Sequence, residues 1–314
     1  MSDESAISAR GLYKSFGDIQ AVADVSFEVR AGEIFSLLGP NGAGKTTTIS
    51  ILSCLLKPDR GEAWVMGHSV LAESQKAKAQ MGVVPQEIAL YEDLSARENL
   101  VFWGKMYGLR GAALNSRVNE VLEVIGLTER DSGRVGKFSG GMKRRLNIGI
   151  ALLNRPRLLI MDEPTVGIDP QSRRNILDSV KALNRAGATV LYTTHYMEEA
   201  QELSDHIAIL DHGKLIAYGS HEELVRIVGE LDRMVLTLSA EPDRVVSAWR
   251  DISGVRQVDI ENGAVHLLVE DSNQALPALI EAAGRAGVRV TSIQIQEPNL
   301  EAVFLHLTGR ALRD

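Results

Sequence analysis

The chain has 314 residues, 45% hydrophobic and 24% charged, with a formal net charge of −7. That length carries one large domain, or one plus a small second domain, with enough apolar side chains for a real core. The acidic balance argues against a broad nucleic-acid footprint, which needs a basic face; the single cysteine, Cys54, excludes an internal disulfide; and no run of about 18 apolar residues is present to cross a membrane as a helix.

In chain order, residues 12–29 alternate around Phe16-Gly17-Asp18 and predict short antiparallel strands. Glu33-Ile34-Phe35-Ser36-Leu37-Leu38 is short, apolar and bounded by glycine, the pattern of a buried strand. Directly after it, Gly39-Pro40-Asn41-Gly42-Ala43-Gly44-Lys45-Thr46 fits G-x-x-x-x-G-K-S/T, the phosphate-binding P-loop. Residues 47–56 lack Gly and Pro and predict a helix, on which Cys54 reads as a small buried apolar residue. Glycines let the backbone curl so that N–H groups point at phosphate oxygens, and the helix start adds positive potential. In that context Lys45 is expected to reach the β- and γ-phosphates and the Thr46 hydroxyl to ligate Mg²⁺.

Further along, 62–67 and 81–86 predict strands, the second ending at Gln86 in a polar loop. Residues 98–126 carry a helical pattern, and another helix starts near Gly140 and continues through 146–153. Residues 157–162 form an apolar run capped by an acid, as in a central parallel strand. A helix over 170–186 with Pro170 in its first turn, a strand over 188–193, a helix over 196–203 and a strand over 206–210 follow. This alternation predicts an α/β core with a mostly parallel sheet, joined by an antiparallel β subdomain and a helical subdomain at about 88–150. Past Gly229 the order becomes strand (234–239), helix (243–250), a hairpin (255–261 and 264–270) around Asn262-Gly263, helix (273–286), strand (288–296) and helix (300–307). That is the β-α-β-β-α-β order of a ferredoxin-like α+β unit without a catalytic cluster. The expected domains are therefore 1–229 and 230–314.

An ordered series stands downstream of the P-loop: Gln86, then Phe138-Ser139-Gly140-Gly141-Met142, then Leu158-Leu159-Ile160-Met161-Asp162-Glu163, then Val166-Gly167-Ile168-Asp169, then His195. With the P-loop, this series resembles the ATP-binding cassette (ABC) ATPases over about residues 8–219. The resemblance implies a P-loop NTPase fold that binds ATP with Mg²⁺. It implies Asp162 as a Mg²⁺ holder through water, Glu163 as the group that orients and polarises the attacking water, and His195 as a γ-phosphate contact. It implies Gln86 as a second Mg²⁺ ligand, Thr47 and Asp169 as further nucleotide-binding residues, and Phe16 as the aromatic stacked on adenine, with Tyr13 as its rival. Ser139-Gly140-Gly141 resembles the family signature, which would serve the ATP bound to a second copy in a head-to-tail dimer. Here Phe138 replaces the usual leucine and Met142 the usual glutamine, which bears on subfamily.

Residues 91–100, 138–146 and 299–309 narrow the resemblance to ATP-binding subunits of type-2 export systems, the daunorubicin/doxorubicin-resistance and sodium-efflux group. Such subunits work under a separate integral-membrane permease. The expectation is a cytoplasmic chain, peripheral on the inner face of the membrane through that permease, with no nucleic-acid partner. A non-transport ABC ATPase acting on DNA or ribosomes and an importer subunit are the alternatives. Against the first, only about ninety residues separate Lys45 from Ser139, without sustained heptads. Lys143-Arg144-Arg145 reads as a solvated or interface face. The C-terminal unit reads as a dimer-stabilising or interface domain, with ligand sensing as the rival.

Overall fold

The computed structural model describes residues 5–229, 231–261, 263–296 and 299–309. Its elements are β1 (Ser5–Phe16), β2 (Ile19–Arg30), β3 (Ile34–Leu38), α1 (Lys45–Leu52), β4 (Arg60–Val65), β5 (His68–Ser69), α2 (Ser74–Gln80), β6 (Met81–Val84), α3 (Ala96–Met106), α4 (Gly111–Val124), α5 (Gly140–Leu152), β7 (Leu158–Asp162), α6 (Pro170–Arg185), β8 (Thr189–Thr194), α7 (Met197–Leu203), β9 (His206–Asp211), β10 (Lys214–Gly219) and α8 (His221–Val225). There follow β11 (Asp232–Leu238), α9 (Asp243–Arg250), β12 (Val255–Glu261), β13 (Ala264–Val269), α10 (Ser272–Arg285), β14 (Val290–Gln296) and α11 (Leu300–Thr308). Two compact units form, one running to His221 and the other starting at Glu222.

In the first unit a six-stranded sheet has the order β10-β9-β3-β8-β7-β6. All its pairs are parallel except β10 on β9. Every residue of β3, β7 and β8 is buried, as a parallel sheet covered on both faces requires. β8 lies between β3 and β7 in a register that pairs Leu38 with Thr194 and Asp162 with Thr193. Three carboxyl ends therefore meet at one sheet edge, where open α/β sheets place ligands. A four-stranded antiparallel sheet, β2-β1-β4-β5, packs its apolar side on this core through Ile7, Leu12, Val25 and Val29 beside Phe35 and Leu37. Helices α3, α4 and α5 close a helical region around Leu100, Leu114, Val118, Leu122 and Leu146. Each such buried side chain contributes roughly 1.5–3 kcal/mol.

The second unit is a four-stranded antiparallel sheet of order β12-β13-β11-β14. β13 inserts between β11 and β12, the split arrangement of a ferredoxin-like unit. Met234, Leu236, Val245, Val265, Leu267, Leu279 and Trp249 form its core. The Trp249 indole N–H donates to the Leu279 carbonyl at 3.0 Å, so this buried aromatic leaves no polar atom unpaired.

Several boundaries differ from the sequence expectation. The helix after the P-loop is α1, so it begins at Lys45 and stops at Leu52 rather than running over 47–56. Cys54 lies past its end with φ of 59°, half-buried. The 98–126 pattern is two helices, parted where Gly108 takes a φ of 88°. β1 and β2 are 12 residues each, longer than the short strands expected. Asn262 lies outside the described residues, while Gly263 has the positive φ of 78° that a tight hairpin turn uses. Among the described residues, no helix is long and apolar enough to cross a membrane.

Candidate active site

The loop from Gly39 to Gly44 connects β3 to α1 under steric rules that only glycine meets at two positions. A Cβ on Gly39 would lie 2.3 Å from the Leu210 carbonyl oxygen, and one on Gly44 2.4 Å from that of Ala21. Gly44, with φ of 99°, is also the cap from which α1 starts. Ala43, Gly44 and Lys45 are buried, Pro40 and Thr47 half-buried, and Asn41, Gly42 and Thr46 exposed. Lys45 Nζ donates to the Gly39 carbonyl at 2.7 Å and the Pro40 carbonyl at 3.1 Å. The ammonium is thus held inside the loop, at the positive end of α1.

The acidic pair sits across from it. β7 ends at Asp162, and Glu163 leaves the strand with φ of 42°, a left-handed conformation that costs a side-chain-bearing residue about 1 kcal/mol or more. The turn redirects its carboxylate away from the line of the strand. Oε1 of Glu163 lies 2.9 Å from Lys45 Nζ. Its Oε2 lies 3.3 Å from His195 Nδ1 and accepts from Gln86 Nε2 at 3.4 Å. Thr193 holds both acids: its hydroxyl donates to Asp162 Oδ1 at 2.7 Å and accepts the Glu163 N–H at 2.9 Å. Lys45, Gln86, Asp162, Glu163 and His195, distant in sequence, are therefore brought together at the carboxyl edge of β3, β8 and β7.

Ser139, Gly140 and Gly141 sit on a different element, the start of α5. The Ser139 hydroxyl caps that helix by accepting the Met142 N–H at 3.2 Å. Gly141 packs directly on α6, since a Cβ there would lie 2.1 Å from the Ser172 hydroxyl. Asp169 caps α6 by accepting the Ser172 N–H at 2.9 Å, a bond that lowers its carboxyl pKa. Phe16 ends β1, 52% exposed, with the Lys14 ammonium 5.8 Å from the ring centre; Tyr13 is half-buried.

The Lys143-Arg144-Arg145 run is not a solvated face. Arg144 is 3% exposed and donates to the Pro85 carbonyl at 2.8 Å and the Gln86 carbonyl at 2.7 Å. Lys143 pairs with Glu92, and Arg145 donates to the Ile125 and Gly126 carbonyls. Arg144 and Thr193 help to build the site, a role that sequence reasoning did not assign to them. The only signal for Thr193 was its place as one of three threonines in β8, which β-propensity alone accounts for.

The chain matches the family described as "ABC transporter" over residues 22–166. Residues 230–308 match "ATP-binding protein DrrA1-3-like, C-terminal domain". It is 47% identical over 310 residues to the linearmycin resistance ATP-binding protein LnrL of Bacillus subtilis, covering 98% of this chain and 100% of that one. It is 38% identical over 307 residues to the daunorubicin resistance ATP-binding protein DrrA3 of Streptomyces coeruleorubidus, covering 98% and 96%. Among solved structures, an ATP-binding subunit of an ABC transporter superposes with a TM-score of 0.64 at 32% identity, covering 71% of this chain and 93% of that one. The dimeric cassette MJ0796 bound to ADP and Pi superposes with a TM-score of 0.62 at 28% identity, covering 68% and 98%.

Proposed function

Because the chain belongs to the ABC transporter family of ATP-binding proteins, a family of ATPases, we propose that it is the ATP-hydrolysing subunit of an export system, acting as a head-to-tail dimer beneath a separate membrane permease. The observation that carries this reading is the convergence on Glu163, whose carboxylate lies 2.9 Å from Lys45 Nζ and 3.3 Å from His195 Nδ1. The resistance names of the relatives support export as the direction of transport.

The glycine cradle and Lys45 suit a triphosphate: backbone N–H groups and an ammonium against phosphate oxygens. The Thr46 hydroxyl, the Gln86 amide oxygen and the Asp162 carboxylate, acting through water, form an oxygen donor set of the kind Mg²⁺ prefers. When bound, that ion would neutralise charge on the β- and γ-phosphates. Phe16 offers its exposed face to adenine, and Thr47 and Asp169 complete the nucleotide-binding set. Glu163 orients and polarises the attacking water, while His195 contacts the γ-phosphate and keeps that carboxylate in place. Positioning and charge stabilisation do most of the work in such phosphoryl transfer. Ser139, Gly140 and Gly141 serve the nucleotide held by the second copy, so a two-fold pair contains two equal sites. The dimeric form of MJ0796 supports this arrangement.

Exposed apolar side chains on α3 and in the segments flanking it support a permease seat. Tyr91, Phe102, Met106 and Tyr107 are all exposed, and the Tyr91 and Phe102 rings meet edge to face at 4.8 Å. Closing and reopening of the dimer would be passed to the membrane there, placing the chain on the inner face of the membrane.

Glu163→Gln tests the reading. The variant is expected to bind ATP with unchanged affinity, to hydrolyse it at least about 100-fold more slowly, and to accumulate as a nucleotide-bound dimer on size exclusion. Ordinary steady-state turnover by that variant would remove Glu163 from its role.

A further inference from the structure

Glu199, in the first turn of α7, is a carboxylate only 2% exposed. It accepts three hydroxyl hydrogen bonds: from Thr165 at 2.7 Å, from Tyr192 at 2.9 Å and from Thr194 at 2.9 Å. Arg173 of α6 brings its Nε to 3.5 Å. Burial and this neighbouring carboxylate hold the Tyr192 phenol well above its ordinary pKa, so the hydroxyl stays a donor. A buried carboxylate without such partners would be strongly disfavoured, and a satisfied buried network of this kind specifies one geometry.

The groups it binds are next to the reacting ones. Thr165 stands two residues after Glu163, in the turn that carries that acid away from β7. Thr194 is the last residue of β8, immediately before His195. Its hydroxyl, while donating to Glu199, also accepts the Tyr196 N–H at 2.9 Å, so it spans the bend in which His195 sits. On the outer side of that bend the Arg173 guanidinium covers the Tyr196 ring at 4.3 Å, and the Tyr196 ring centre lies 4.1 Å from that of His195. One carboxylate therefore ties the segment leaving Glu163 to the segment holding His195, two chain segments about thirty residues apart that must act on the same phosphate.

We infer that Glu199 is a positioning residue for ATP hydrolysis, keeping His195 and the Glu163 turn in mutual register through Thr194 and Thr165. This rests on the reading of His195 and Glu163 given under the proposed function. A purely structural buried network makes a different prediction, because its loss lowers stability without acting through His195.

The experiment is a double-mutant cycle on the full-length chain, read by single-turnover hydrolysis of radiolabelled ATP with Mg²⁺, alongside equilibrium binding of a fluorescent ATP analogue. Glu199→Gln keeps the side-chain volume but loses the charge and half of the acceptor capacity. It is expected to slow hydrolysis at least about tenfold while nucleotide affinity stays within about twofold. On a His195→Ala background the same change is expected to cost less than about twofold more. Thr194→Val should reproduce the loss and Thr194→Ser should restore the rate, and this pair carries the test if Glu199→Gln does not fold. Equal losses on both backgrounds, or a wild-type rate in Glu199→Gln or Thr194→Val, would overturn the inference alone. Full activity in His195→Ala by itself would overturn the reading beneath it.

Discussion

Arg144 donates from both terminal nitrogens to the carbonyls of Pro85 and Gln86, so α5, which opens with Ser139, is fastened to the loop that carries Gln86. Burial lowers its guanidinium pKa, the cost of placing a cation at this depth. Arg144→Lys keeps the charge but replaces a planar fork by a point donor that cannot serve both carbonyls in the same geometry. The expected loss is about 1.5–3 kcal/mol, read as a lower urea midpoint, since a charge-assisted hydrogen bond is worth that much. An unchanged midpoint would mean the two bonds contribute nothing net. This residue also marks where sequence reasoning stops. The positions of Lys45, shortly after one buried strand, and of Asp162, at the end of another, were legible because a glycine-rich motif and an apolar run capped by an acid show along the chain, while the roles of Asp162 and Glu163 came from the family resemblance. Arg144 and Thr193 act through partners 58–59 and 30–31 residues away, and Glu199 joins Thr165, 34 residues before it, to the nearby Tyr192 and Thr194; a run of three cations or a threonine in a β-branched strand has a bland reading until sheet register and helix packing exist.

Among the elements, α3 begins with a complete capping box. The Ser95 hydroxyl accepts the Glu98 N–H at 3.2 Å, and the Glu98 carboxylate accepts the Ser95 N–H at 2.8 Å. Ser95→Ala should cost about 1 kcal/mol. The bond from the Ser95 N–H lowers the Glu98 pKa. A depressed carboxyl contributes stability that is present at neutral pH and lost as the pH falls through its folded value, so this increment should fade below about pH 4. Glu98→Gln should remove that acid dependence, as followed by hydrogen exchange of the first-turn amides. The far end of the same helix tests the permease seat. Met106 is 69% exposed, and Met106→Glu should abolish recovery of the chain with its permease in membranes while leaving the hydrolysis rate of the isolated chain unchanged. The expected strands of the parallel core appear within a few residues, because continuous apolar runs have few alternatives. α2 escaped notice because Ser74–Gln80 buries only Ala77 and so has no apolar stripe, and β10 because five of its six residues are half-buried or exposed at a sheet edge.

At the scale of the whole molecule, each unit encloses its own apolar core: Phe35, Leu37 and Ile160 in one, Trp249, Leu236 and Leu279 in the other. The P-loop, the acidic pair and His195 all belong to the first unit, which runs to His221. Anything that binds only the native first unit stabilises that unit by mass action, about 2.7 kcal/mol at a hundredfold excess over Kd, and leaves the second unit's own equilibrium unchanged. Urea unfolding is therefore expected to give two transitions, of which Mg-ATP raises only one. Tryptophan separates them, because Trp64 and Trp103 lie in the first unit and Trp249, fully buried, in the second. With Trp64 and Trp103 replaced by Phe, fluorescence reports the second unit alone, and its midpoint should not move when nucleotide is added. A Trp249 midpoint that rises with Mg-ATP in step with the far-ultraviolet signal would instead mean that the two units unfold as one cooperative body, with nucleotide binding coupled into the C-terminal sheet.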